Sequence, residues 1–113
     1  MNHLGQPITS NSGALRIIVR SGEAESLVRG KNELEFTIER WSDGTPVTGL
    51  EAQLAPFMPA MGHGSPSLST ASAVGSGRYL FSDVELTMPG LWELRTRISG
   101  TVRDDVAPLL EVR

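Results

Sequence analysis

Three methionines beyond the first residue, Met58, Met61 and Met88, and one histidine, His63, are the side chains here best suited to chemistry. Three of the four fall in one short segment, Met58-Pro59-Ala60-Met61-Gly62-His63. A thioether is a soft, uncharged donor that selects Cu(I), and imidazole suits copper in either oxidation state. The segment contains no acid, whereas calcium requires several carboxylates or carbonyls. Zinc sites are built from Cys, His and carboxylate, which a Met-rich loop supplies poorly. The residue types therefore point to copper, and to Cu(I) first.

Spacing supports a single site. Pro59 and Gly62 should bend the chain out of strand pairing. Met61 and His63 are two residues apart and would project to the same side of an extended segment. Gly62 and Gly64 allow a tight turn around an ion. Met88 precedes Pro89-Gly90 and is expected to arrive from a neighbouring strand end. The candidate metal ligands are thus Met58, Met61, His63 and Met88. The competing reading is packing: Met is a common filler of core gaps, and Met58 follows Phe57. Met88 on its own fits that reading better than ligation. Met1-Asn2-His3 with a free amine could hold Cu(II) through square-planar nitrogens, a feature that an added start Met would create artificially.

The elements that would hold these residues read as strands. Leu34, Phe36 and Ile38 alternate with Glu33, Glu35, Thr37 and Glu39, the pattern of a half-buried antiparallel strand. The same period recurs at Leu15-Ile17-Val19, Leu50-Ala52-Leu54, Tyr79-Phe81, Trp92-Leu94-Thr96-Ile98 and Leu110-Val112. Turn chemistry punctuates these runs at Ser42-Asp43-Gly44-Thr45-Pro46, Gly75-Ser76-Gly77, Pro89-Gly90 and Ser99-Gly100. About seven short strands without an amphipathic helix predict an all-β, immunoglobulin-like antiparallel sandwich. Residues 65–76, rich in Ser, Ala and Thr, are expected to form a weak edge strand. Trp92 should lie in the core, and Trp41 should cap a turn in a partly covered position. Glu33, Glu35 and Glu39 read as a solvated face, since nothing nearby would separate their pKa values for acid/base work.

Composition bounds the rest. At 113 residues the chain fits one domain, with 39% hydrophobic and 20% charged residues as in ordinary soluble proteins. Residues 1–12 are expected to be a flexible lead-in, and residues 13–113 the domain. The net charge of −3 comes without a basic stripe, so nucleic acid is not an expected partner. Zero cysteines exclude a disulfide framework, thiolate ligands and a Cys nucleophile. Residues 1–12 lack the apolar core of a secretory signal. The choice is between a cytosolic chain and a mature piece of an exported one, and the second is preferred. No Ser/His/Asp constellation or phosphate-binding Gly loop stands out, so an enzyme is not expected.

Four segments together resemble a known family. They are Asp43-Gly44-Thr45-Pro46-Val47-Thr48-Gly49, Met58-Pro59-Ala60-Met61-Gly62-His63-Gly64, Gly77-Arg78-Tyr79 and Met88-Pro89-Gly90-Leu91-Trp92-Glu93-Leu94. They look like the YtkA-like domain, and are similar to the FixH-type accessory proteins of copper-oxidase assembly. The resemblance spans about Leu15 to Arg113. It implies an immunoglobulin-like sandwich on the extracytoplasmic side, periplasmic or membrane-anchored, with a link to copper handling. It also implies a copper-oxidase assembly or export protein as partner. The expected function is a non-enzymatic copper chaperone or buffer using the Met/His loop. The alternative is a structural or protein-interaction sandwich module that holds no metal.

Overall fold

The computed structural model describes residues 1–22, 26–64 and 67–113. Among the described residues eleven strands follow one another: β1 (Pro7–Thr9), β2 (Leu15–Ser21), β3 (Gly30–Arg40), β4 (Leu50–Met58), β5 (His63–Gly64), β6 (Ser69–Thr70), β7 (Ser72–Gly75), β8 (Arg78–Leu86), β9 (Gly90–Gly100), β10 (Asp104–Val106) and β11 (Leu109–Val112). They form two antiparallel sheets. The first runs β1-β2-β3-β8-β7. The second is centred on β4 and β9, with β10 and β11 sharing the free edge of β9 and β5 and β6 sharing that of β4. The two-sheet sandwich matches the sequence expectation. The strands beyond the expected seven are short edge pieces of two to four residues, too brief to show a period.

Alternation explains the layering. Leu34, Phe36 and Ile38 of β3, Leu50, Ala52 and Leu54 of β4, and Trp92, Leu94 and Ile98 of β9 all turn inward and are buried. The largest fully buried side chains are Trp92, Tyr79, Phe36 and Phe81. Phe36 and Phe81 meet edge to face with centroids 5.0 Å apart. Burying one such side chain stabilises the fold by about 1.5–3 kcal/mol, so this aromatic layer contributes much of what holds the sheets together. The buried Tyr79 hydroxyl donates to Val47 O at 2.7 Å and accepts from the Leu50 N–H at 3.3 Å. It thereby fixes the connection that carries the chain from β3 in one sheet to β4 in the other.

The outer face of the first sheet is charged and paired. Arg16 meets Glu39 at 2.9 Å and Arg78 meets Glu35 at 3.6 Å. These acids therefore belong to a solvated ionic face, where such pairs contribute little, about 0–1 kcal/mol each. Trp41 lies under the Arg16 guanidinium, 5.3 Å from the ring centre, and remains partly exposed.

Both long edges of the sandwich are closed. On one side a single residue, Ala71, separates β6 in the second sheet from β7 in the first. The Ser69 hydroxyl donates to Asp83 O at 2.8 Å, tying this crossing to β8. The expected edge strand is thus β6 and β7, while Ser65 and Pro66 lie outside the described residues. On the other side the structure departs from the flexible lead-in expected at residues 1–12. Ile8 is buried, β1 pairs with β2, and Asn11 N–H donates to Asp105 O at 2.8 Å. Polar composition concealed this role, because β1 is an edge strand with one buried side chain.

Asp104 completes that closure. Its carboxylate accepts from the Ser10 hydroxyl at 2.7 Å and from both the hydroxyl and N–H of Ser12. Burial opposes ionisation of Asp104, but the hydrogen bonds from Ser12, Ser10 and Asp105 outweigh it and hold the carboxyl below its usual value of 3.8. The folded value lies below the unfolded one, so this contribution is complete above pH 3.8 and is lost as pH falls through the folded value. Asp104→Asn should lower the thermal midpoint at neutral pH, with the gap from wild type closing in acid. Thermal melts across pH check this; a gap independent of pH would contradict it.

Candidate metal-binding site

The antiparallel ladder between β4 and β9 runs from Leu50 opposite Gly100 to Phe57 opposite Glu93. It sets the last residue of β4, Met58, beside the first residues of β9. The connection from β8 to β9 is only residues 87–89, so Met88 reaches the same end of the sandwich. One end of the second sheet therefore carries Met58, Met61, His63 and Met88.

Local geometry differs from the extended loop expected. Residues Pro59–Met61 form one 3-10 turn with Pro at its start. Gly62 closes it in the left-handed region at φ 65°, its N–H donating to Met58 O at 3.0 Å. A left-handed residue is cheap for glycine and strained for most others. Met61 and His63 thus do not share a strand face by alternation. Instead the chain returns as β5, and His63 becomes the register partner of Met58. Side chains directly opposite in an antiparallel pair project to the same face with Cβ atoms about 4.5–5.5 Å apart. Met58 and His63 are thus opposite each other in the ladder, with Met58 covered and His63 exposed.

The four candidates differ in exposure. Met58 is 4% exposed and belongs to the core, as the packing reading anticipated. Its methyl reaches the sheet end: a Cβ built on Gly90 would sit 3.0 Å from Met58 Cε. Met88 is half-buried and packs on the core cluster. Met61 is 54% exposed on the turn, and His63 is also exposed. Two thioethers are thus held by the sandwich, while a third and the imidazole face solvent. Beside them on the outer face, the Arg95 guanidinium lies 3.7 Å from the Phe57 ring centre and pairs with Glu93 at 2.8 Å.

The donor set fits a soft monovalent cation better than a hard one. Among the described residues, no three His, Cys, Asp or Glu side chains gather as a metal-binding group. Two contacts at this end were invisible in the sequence. The Trp92 indole N–H donates to Met88 O at 2.9 Å, and Gly90 gives way to the Met58 methyl. A tryptophan in an alternating strand signals a core position and nothing about its N–H. The hairpin depends on Gly64 as well. A Cβ there would fall 2.8 Å from the Pro56 carbonyl oxygen, closer than real contacts allow. Gly64→Ala should push β5 off β4 and destabilise the domain by about 1–3 kcal/mol. Chemical denaturation checks this; unchanged stability would show that the hairpin has room to spare.

A family model described as YtkA-like matches residues 16–97, from β2 into β9, a stretch that includes Met58, Met61, His63 and Met88. Searches of curated proteins and of solved structures find no match. With most of its length, both core sheets and the whole Met/His end inside the match, this chain belongs to the YtkA-like family.

Proposed function

We propose that this chain is a non-enzymatic copper-binding protein that accepts and releases Cu(I) at the Met58–His63 end of the sandwich. The observation that carries the reading is the pairing of Met58 with His63 across the β4–β5 hairpin, with the Met58 methyl against Gly90 and Met88 two residues before it. Thioether and imidazole are the neutral donors that Cu(I) favours. In this reading Met58 and Met88 stay in place because the core holds them. Met61 and His63 are the accessible donors and would make the first and last contacts with an arriving or departing ion. A hairpin tip opens locally at little cost, so transfer by ligand exchange requires no unfolding of the sheets.

The working context is drawn from the family resemblance. A carrier of this kind would act on the extracytoplasmic side, soluble there or tethered to the membrane. It would hand copper to an oxidase-assembly or export protein. A second reading, an interaction module holding no metal, draws on exposed apolar side chains in and next to the second sheet: Met61 at 54%, Leu91 at 41% and Leu68 at 62%. Isolated exposed apolar residues are common, which leaves this reading the weaker of the two.

The test is an anaerobic Cu(I) titration against a chromogenic chelator, comparing wild type with the Met61→Ala, His63→Ala double variant. One tight equivalent is expected in wild type and its loss in the variant, with the thermal midpoint little changed because both side chains are exposed. No competition by wild type would remove copper from the account and favour the interaction module.

A further inference from the structure

Residues 1–12 are bonded to both sheets. Toward the first, β1 pairs with β2 from Pro7 opposite Ile18 to Thr9 opposite Arg16, and the Gly5 N–H donates to Val19 O at 2.8 Å. Toward the second, the Asn2 N–H donates to Leu109 O at 2.8 Å, and the Asn2 side-chain oxygen accepts from the Leu109 N–H at 2.8 Å. At the far end of the segment the Asn11 N–H donates to Asp105 O, and the Ser10 and Ser12 hydroxyls donate to the Asp104 carboxylate. The segment thus joins the edge of β2 in one sheet to β10 and β11 in the other. Its hold on the core is small. Ile8 is its one buried apolar side chain, and Leu4 is only partly covered. Strand β9, by contrast, places Trp92, Leu94 and Ile98 in the interior. Hydrogen bonds at an edge are exchanged for bonds to water when broken, so their net contribution is modest.

We propose that residues 1–12 are a strap that opens as one unit while the sheets behind it stay folded, uncovering the β2 edge and the Asp105–Leu109 edge together. Both ends of the strap hold the second sheet, and its middle holds the first. Ile8 near the centre is the side chain anchored in the core, so its withdrawal releases the bonds on either side. Local opening draws on segments with few buried apolar contacts. Closed, the strap covers backbone groups of β2 that would otherwise form an unprotected sheet edge. Open, it exposes that edge and frees the Leu109 N–H, which belongs to the second sheet but has its acceptor on the strap.

Native-state hydrogen exchange of the full chain, read by NMR, tests this. The amides of Asn2, Gly5, Asn11 and Leu109 should share one opening constant, larger than that of amides in the β3–β8 and β4–β9 ladders. Ile8→Ala should raise all four by one common factor, at least about tenfold. Should Ile8→Ala not fold, Ser12→Ala, at an exposed position, should raise the same four by a smaller common factor. Four unrelated opening constants in wild type would overturn the proposal, because each contact would then fray alone. So would strap amides that open only with the central ladders, since the strap would then belong to the core unit. A Ser12→Ala effect confined to Asn11 would count against it equally.

Discussion

The pairing of β4 with β9 is the constraint on which this molecule turns. Eight consecutive register partners, from Leu50 opposite Gly100 to Phe57 opposite Glu93, leave no freedom in where either strand ends. A slip of β4 by one residue would turn Leu54 to solvent and Gln53 into the core, so hydrophobic burial enforces the register. With the register set, Met58 must end beside Gly90. The hairpin beyond Met58 must fold back over the same sheet edge. The candidate residues lie where that core packing ends, at one end of the sandwich.

That dependence explains the division between held and exposed donors. Inward-facing positions of β4 belong to the core, so Met58 is covered. The 3-10 turn that follows lies beyond the ladder, so Met61 is not. His63 faces solvent because β5 is a two-residue edge strand with little above it. The opposite end has another task. There Tyr79 ties the β3–β4 connection to the second sheet, while the Asp104 clamp closes the sandwich edge along β1 and β10. Met61 and His63 thus lie exposed at the end away from these ties.

Much of this could be read from the residues alone, and the reasons for the exceptions are physical. Long strands such as β3 and β9 announce themselves by alternation over many residues, so the sandwich and the core position of Trp92 were legible. Residues 7–9 were not, because an edge strand with only Ile8 buried carries no period to detect. The candidate ligands were named by donor chemistry, but their arrangement was not available at that level. Met61 and His63 were expected to act together on an extended segment. The left-handed Gly62 turns the chain back and gives His63 to Met58 instead. The indole bond to Met88 left no trace in composition or spacing, since it depends on where one N–H points within a packed core.

The measurement that bears most directly on this account is NMR of the protein labelled at the methionine methyls, followed during anaerobic addition of Cu(I). Thioether coordination acts on the methyl next to the sulfur, so each candidate reports separately. The account requires the methyls of Met58, Met61 and Met88 to shift together and to stop shifting at one equivalent. If the Met58 and Met88 methyls keep their positions at saturation, the end of the β4–β9 ladder is a packed sheet terminus and not a copper site.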